Sequence, residues 1–232
     1  IVAEQIRSLN IGVKDIILER YGKNTAPAAA IASMALSIGN SDSMILLLPS
    51  DHLITNQSAF KAAIDIAIPA AKNNQMVAFG IKPTRPETGY GYILSAKELN
   101  SAPGCFAIQQ FIEKPKIEKA QKIYSAEGYN WNSGIFLFKA SIYLKELKRL
   151  QPEVFAACKK SFANTTRDLD FTRLDEEAFK ECPKISIDYA VMEHTKKAAI
   201  VPVDMGWSDI GSWSELWAIS EKDRDDNVIT GD

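Results

Sequence analysis

A chain of 232 residues is long enough to bury one sizeable core, in the range where a single α/β domain and two smaller ones are equally expected. With 46% apolar and 24% charged residues and a net charge of −2, it has the make-up of an ordinary globule without a basic field, which counts against nucleic acid as a partner and leaves small anions open. Its three cysteines, Cys105, Cys158 and Cys182, lack the close pairing of zinc or redox motifs; no apolar run approaches the roughly 20 residues that span a bilayer. A reduced, cytoplasmic chain with no membrane role is therefore expected.

The chain opens at Ile1 inside "IVAEQIRSLN", which reads as helix, so a piece of a longer protein is expected. Four runs, "KDIIL" (14–18), "MILLLP" (44–49), "MVAFGI" (76–81) and "AAIVPV" (198–203), have the continuous hydrophobicity of strands covered on both faces. Between them, Phe60, Ala63, Ile64, Ala67, Ile68 and Ala71 recur at helical spacing. Pro69 within that stripe predicts a kink or an early end. Residues 28–38 and 140–150 repeat the pattern more loosely. This alternation predicts an α/β fold, a mostly parallel twisted sheet flanked by helices. The polar stretch Asn164 to Glu177 reads as a mobile loop or a solvated surface excursion. In such a sheet ligands gather outside the carboxyl ends of the strands, so the residues that follow each apolar run are the candidates.

After "KDIIL" comes "ERYGKNTAPAAAIA". Gly22 gives a turn, Asn24 or Thr25 can cap, and Pro27 suits a first helical turn. Open N–H groups at such a helix start favour an anion or a carbonyl-rich ring; plain capping is the alternative. After "MILLLP" come Ser50, Asp51 and His52. Asp51 is placed either to hold a divalent cation or to cap the next helix, and His52 reads as a structural hydrogen-bonder. "ETGYGYI" (87–93) alternates two glycines with two tyrosines, bare backbone beside large rings. In "FIEKPK" (111–116), Glu113 and Lys114 reach one ligand only if the strand bends or ends there, which Pro115 encourages; otherwise they form a solvated ion pair. "YNWNSGIFLF" (129–138) sets Trp131 and Asn132 before a glycine, a pattern for hydrogen bonding to hydroxyl groups or for a turn with a buried indole. "DMGWSDIGSWSELW" (204–217) holds Asp209 between two glycines, where it could meet Asp51 over one metal. The capped helix that follows carries Trp213 and Trp217, read as core.

The ordered series "GKNTAPA", "LLLPSDH", "FGIKPTRPETGYGYI", "FIEKP", "YNWNSGIFLFKAS", "SIDYAVME" and "GWSDIGSW" closely resembles the bacterial mannose-1-phosphate guanylyltransferases, within the wider sugar-nucleotide pyrophosphorylases. The resemblance runs from "VAEQIR" to "NVITGD". It implies a Rossmann-like, GT-A-like nucleotidyltransferase fold that makes GDP-mannose and pyrophosphate from GTP and mannose 1-phosphate. By the same resemblance Gly89 lets the mannose approach the backbone, Glu113 and Asn132 meet sugar hydroxyls, and Lys114 meets the sugar phosphate. Asp51 and Asp209 become ligands of Mg2+, Asn24 and Thr25 part of the guanine site, and Asp51, Lys114 and Asp209 the catalytic set. A homodimer is implied by family analogy alone.

The sequence departs from that family in stated ways. Nothing like the Gly-rich, Arg-containing loop "GGxGxRLWPLSR" occurs in it, and Lys23 and Arg20 stand where Arg and Pro are usual. On this reading residues 1–232 are a single nucleotidyltransferase catalytic domain, truncated at the N-terminus and lacking the C-terminal β-rich or cupin part, and are expected to be inactive or nearly so alone. Two competing readings are a non-catalytic sensor or regulatory subunit that keeps the sugar-phosphate pocket, and a pyrophosphorylase for another sugar nucleotide.

Overall fold

A computed structural model describes residues 2–38 and 42–229. In chain order, α1 (Val2–Ser8), β1 (Ile16–Leu18), α2 (Thr25–Ser37), β2 (Met44–Leu47), β3 (Leu53–Ile54) and α3 (Gln57–Lys72) lead to β4 (Met76–Ile81). Then come β5 (Tyr92–Leu99), β6 (Ala102–Ile112), α4 (Ile117–Tyr124), β7 (Tyr129–Lys139), α5 (Ala140–Leu150) and α6 (Pro152–Ala163). The strands β8 (Thr166–Asp168) and β9 (Phe171–Arg173), α7 (Glu176–Lys180), a π-helical turn (Asp188–Met192), β10 (Ala198–Pro202), β11 (Trp207–Ser208) and α8 (Trp213–Ile219) complete the order. Among the described residues no helix is long and apolar enough to cross a membrane. The chain forms two compact units.

The first unit comprises Ile1–Ile45, Ala71–Met76 and Leu137–Ala198. Its centre is helical, with α2, α5 and α6 packed on one another. Ala26, Ala29 and Ala30 are fully buried on α2, and side chains this small let helix backbones approach closely. Tyr143 fills the space beside them, stacked on Phe138 at 5.0 Å, with its hydroxyl donating to the Ala26 carbonyl at 2.8 Å. A small sheet in the order β1-β9-β8 belongs to the same unit. The run "KDIIL" therefore supplies a strand, but one that pairs in parallel with β9, Ile16 opposite Phe171, outside the large sheet. Residues 164–177 are correspondingly not a loop. They hold the β8–β9 hairpin and the start of α7, with Thr172 buried and its hydroxyl bonded to Asp15 at 2.9 Å. Strands of three residues are too short for alternation to register in sequence, which is why the segment reads as polar loop.

The second unit comprises Leu46–Ala70, Val77–Phe136 and Ala199–Asp232. The large sheet runs β2-β7-β4-β10-β6-β5, with β5 also pairing with β7. Val77, Ala78 and Phe79 on β4 are fully buried, as a strand covered on both faces requires. The α/β architecture with a helix-flanked central sheet is thus the one expected, but the sheet is mixed: β6–β10, β5–β6 and β5–β7 are antiparallel. For β5–β6 the cause is local, since only two residues separate Leu99 from Ala102 and a connection that short can join only antiparallel strands. Helix α3 runs through Pro69 to Lys72 without ending early. Pro69 and Asp65, whose carbonyl loses its i+4 donor, both lie on the exposed side, where that carbonyl is open to solvent rather than buried unpaired.

The pair Trp213 and Trp217 departs from its reading as core. Trp213 is 87% and Trp217 47% exposed, and Trp217 uses its indole N–H on the Asp226 carbonyl at 2.9 Å. Spacing at i, i+4 puts two rings on one face but says nothing about what lies against that face.

Candidate active site

The two acids read as metal ligands are brought together by the shortest sheet in the second unit. Strands β3 and β11 pair antiparallel, Trp207 opposite Ile54 and Ser208 opposite Leu53, and one step further along that register stand His52 and Asp209. Asp51 and Asp209 both act electrostatically on the His52 ring, and Asp51 lies 4.0 Å from His52 Nε2. Burial lowers the His52 pKa against the pull of these two carboxylates, so the imidazole is neutral near pH 7. Its Nδ1 accepts from the Trp207 indole at 3.1 Å, which puts the ring proton on Nε2. His52 is thus the structural hydrogen-bonder its isolation in sequence predicts. The Asp51 side chain is 81% exposed.

The sugar-side candidates are aligned by sheet register. Tyr92 on β5 faces Ile112 on β6 and Trp131 on β7, so the preceding residue, Gly91, stands in one row with Glu113 on one side and Asn132 on the other. The Asn132 N–H donates to the Gly91 carbonyl at 2.8 Å. A Cβ at Gly91 would collide with the Glu113 carboxylate and come within 3.3 Å of Asn132 Cβ. The bare backbone that the tyrosine–glycine alternation signalled is therefore most tightly enclosed at Gly91, a residue the sequence reading did not single out, where the buried Glu113 side chain would have to shift to admit a methyl group. At Gly89 a Cβ would meet only the Glu87 carboxylate, at an ordinary 3.5 Å.

Strand β6 ends at Ile112, and Lys114 takes φ +45° just before Pro115. The chain turns there, so the alternation of a strand no longer applies, and Lys114 Nζ comes within 3.9 Å of Glu113 Oε1. Glu113 is 7% and Lys114 57% exposed at the side chain. A left-handed conformation at a non-glycine residue costs on the order of 1 kcal/mol or more. Trp131 is buried at 4% exposure, the core indole of the bland alternative, with Asn132 beside it.

A polar cluster absent from the sequence reading surrounds Asp209. The Tyr90 hydroxyl lies 2.6 Å from Asp209 Oδ1 and 2.8 Å from Glu215 Oε1, and Arg85 reaches the same Glu215 oxygen at 2.7 Å. Burial and these two carboxylates push the Tyr90 pKa far above its usual value, so the hydroxyl keeps its proton. Burial would raise the Glu215 carboxyl, but the hydrogen bond and the charge of Arg85 hold it below the usual range. Ser212 caps α8, Glu215 N–H donating to Ser212 Oγ at 3.2 Å, and the Glu215 carboxylate reaches back to the Gly211 N–H at 3.0 Å. The S-x-x-E spacing is the sequence signature of this cap. Ile210, between Asp209 and Gly211, has φ +47°, a rare state for a β-branched residue.

In the first unit, Asn24 (φ +71°) caps α2, accepting from Thr25 N–H at 2.8 Å. Thr25 Oγ1 accepts from Ile187 N–H at 2.9 Å, and Ala26 N–H donates to the Ile185 carbonyl at 3.2 Å. With Pro27 next, the first donors of the helix are already in use, so this turn presents the Asn24 and Thr25 side chains rather than a ring of open amides. Lys23 Nζ donates to the Lys180 carbonyl at 2.6 Å.

These features agree with what the chain resembles among known proteins. The family model described as nucleotidyl transferase matches residues 1–226. A protein of Escherichia coli K12 named mannose-1-phosphate guanylyltransferase is 49% identical over 238 residues, covering 100% of this chain and 49% of its own. The xanthan biosynthesis protein XanB of Xanthomonas campestris pv. campestris strain B100 is 48% identical over 230 residues, 99% of this chain and 48% of its own. The chain thus spans about half the length of the curated relatives it matches. A crystal structure titled mannose-6-phosphate isomerase, from Helicobacter pylori, superposes with TM-score 0.80 at 32% identity, covering 88% of this chain and 79% of that one. With the motif order, the sheet and the family model in agreement, the chain belongs to the nucleotidyl transferase family.

Proposed function

We propose that the protein carrying this chain makes GDP-mannose and pyrophosphate from GTP and mannose 1-phosphate. The observation that carries the reading is the row Glu113–Gly91–Asn132, with Lys114 turned toward Glu113, in a chain half identical to a protein named for that reaction. A buried carboxylate and an amide with no side chain between them suit sugar hydroxyls, and an exposed lysine one residue on suits the attached phosphate.

Asp51 and Asp209 fit Mg2+ by their donor chemistry. Both offer hard carboxylate oxygens, and both act on the same His52 ring. Two carboxylates, with the other positions left to water and phosphate, make a magnesium set rather than a zinc one. A bound Mg2+ would neutralise charge on the triphosphate. The chain's own residues position the reactants: Glu113 and Asn132 orient the sugar, Gly89 leaves room beside it, Lys114 holds the sugar phosphate, and Asn24 and Thr25 meet the guanine. An oxygen of mannose 1-phosphate then attacks the α-phosphorus of GTP and pyrophosphate leaves. No protein nucleophile is needed, so the rate comes from alignment and charge neutralisation.

The test is pyrophosphate release by the full-length protein, with GTP and mannose 1-phosphate compared against ATP and UTP and against glucose 1-phosphate. Release that needs both GTP and mannose 1-phosphate is the expected result. Tight mannose 1-phosphate binding with no release would replace the enzyme by the sensor.

A further inference from the structure

We propose that Tyr90 is a positioning residue that sets the rotation of the Asp209 carboxylate, with Arg85 and Glu215 fixing which way the tyrosine proton goes. This rests on the reading of Asp209 as a metal ligand. The Tyr90 ring is buried at 8% exposure and held from two sides, edge-on to Trp131 at 5.1 Å and to Trp207 at 5.3 Å. The ring therefore has one place to put its oxygen.

A hydroxyl has one proton, and two carboxylates compete for it. Glu215 is already served: Arg85 donates to Oε1 at 2.7 Å and the Gly211 N–H to Oε2 at 3.0 Å. Asp209 has only the longer arm of that same, shared Gly211 N–H, at 3.3 Å, and the shorter contact to Tyr90. The proton thus goes to Asp209. Among the described residues the hydrogen bonds to Asp209 end on Oδ1, which fixes the carboxylate plane and leaves Oδ2 as the oxygen for a cation. Without the hydroxyl, two like charges face each other across the vacated position, and Asp209 turns away from Glu215. Partners of this kind, one bond removed from the metal, typically change metal affinity by 10- to 100-fold.

The experiment uses the full-length protein with Mn2+ as the spectroscopic probe, free Mn2+ being read by electron paramagnetic resonance. Tyr90→Phe keeps the ring and its packing and removes only the hydroxyl. It is expected to raise the Mn2+ dissociation constant about tenfold and to lower kcat, with KM for mannose 1-phosphate within about twofold of wild type. Asp209→Asn, measured in parallel, is expected to lose Mn2+ binding. Unchanged Mn2+ affinity in Tyr90→Phe, with affinity lost in Asp209→Asn, overturns the positioning role and leaves the metal reading standing. Unchanged affinity in Asp209→Asn overturns both. Should Tyr90→Phe fail to fold, Arg85→Gln decides by the same measure, since it frees Glu215 to compete for the proton: several-fold weaker Mn2+ binding supports the proposal and unchanged binding overturns it.

Discussion

Gly91 and Gly89 stand two residues apart and respond to different neighbours. At Gly91 an added Cβ runs into Glu113 and Asn132, so Gly91→Ala is expected to destabilise the fold by about 1–3 kcal/mol, the range for overpacking, and to raise KM for mannose 1-phosphate. Gly89→Ala meets no protein atom closer than 3.5 Å. It is expected to leave thermal stability unchanged and to raise that KM about tenfold, since only the sugar would feel the methyl group. Melting curves and sugar-phosphate titrations of the two variants separate the cases, and a Gly89→Ala enzyme with wild-type KM would remove Gly89 from the site. Asp51→Asn and Asp209→Asn are each expected to cut turnover by about a hundredfold or more with near-native melting. The sequence shows that bare backbone is needed near residue 90 because Gly and Tyr alternate there. It does not show which glycine, because that depends on register with Glu113 and Asn132, and register is a property of paired strands. The same limit hides Tyr90 and Glu215, whose meeting at Asp209 is made by folding rather than by spacing.

Among the elements, α5 carries the clearest pH signature. Burial would raise the Glu146 carboxyl, but hydrogen bonds from Arg149 and Thr195 and the charges of Arg149 and Lys197 hold it below its ordinary value of 4.5. The contacts are 2.6 and 2.8 Å, and they tie the helix to the turn before β10. A carboxyl that titrates lower in the folded chain than in the unfolded one binds its proton first in the unfolded chain. The stabilisation is therefore present above pH 4.5 and is lost as pH falls through the folded value. Glu146→Gln is expected to lower Tm by about 4 °C at pH 7, a gap that closes toward pH 3; a gap independent of pH would contradict the assignment. Long elements such as β4 and α3 are legible from periodicity, and α5 was marked by its apolar spacing alone. The β8–β9 hairpin was not, because three-residue strands carry no period, and the exposure of Trp213 was not, because helical spacing defines a face and leaves its surroundings open.

Taken as one molecule, the chain builds each of its two units from three separate segments, so neither can be assembled from a continuous stretch. The three thiols report on this: Cys105 belongs to the second unit, Cys158 and Cys182 to the first, all buried, the latter pair 3.9 Å apart at sulfur. In rising denaturant the three are expected to become reactive toward a bulky thiol reagent in a single transition, as a two-state chain requires; two separate transitions would show units that unfold independently. The α/β class was legible from alternating apolar runs. The mixed sheet was not, since continuous hydrophobicity records burial and not strand direction. The pairing of β3 with β11 also bears on synthesis. Asp51 is synthesised well before Asp209, so the first acid of the proposed metal site waits for the second while all the residues between them are made. The proposed pair of acids can meet only once residue 209 has cleared the exit tunnel.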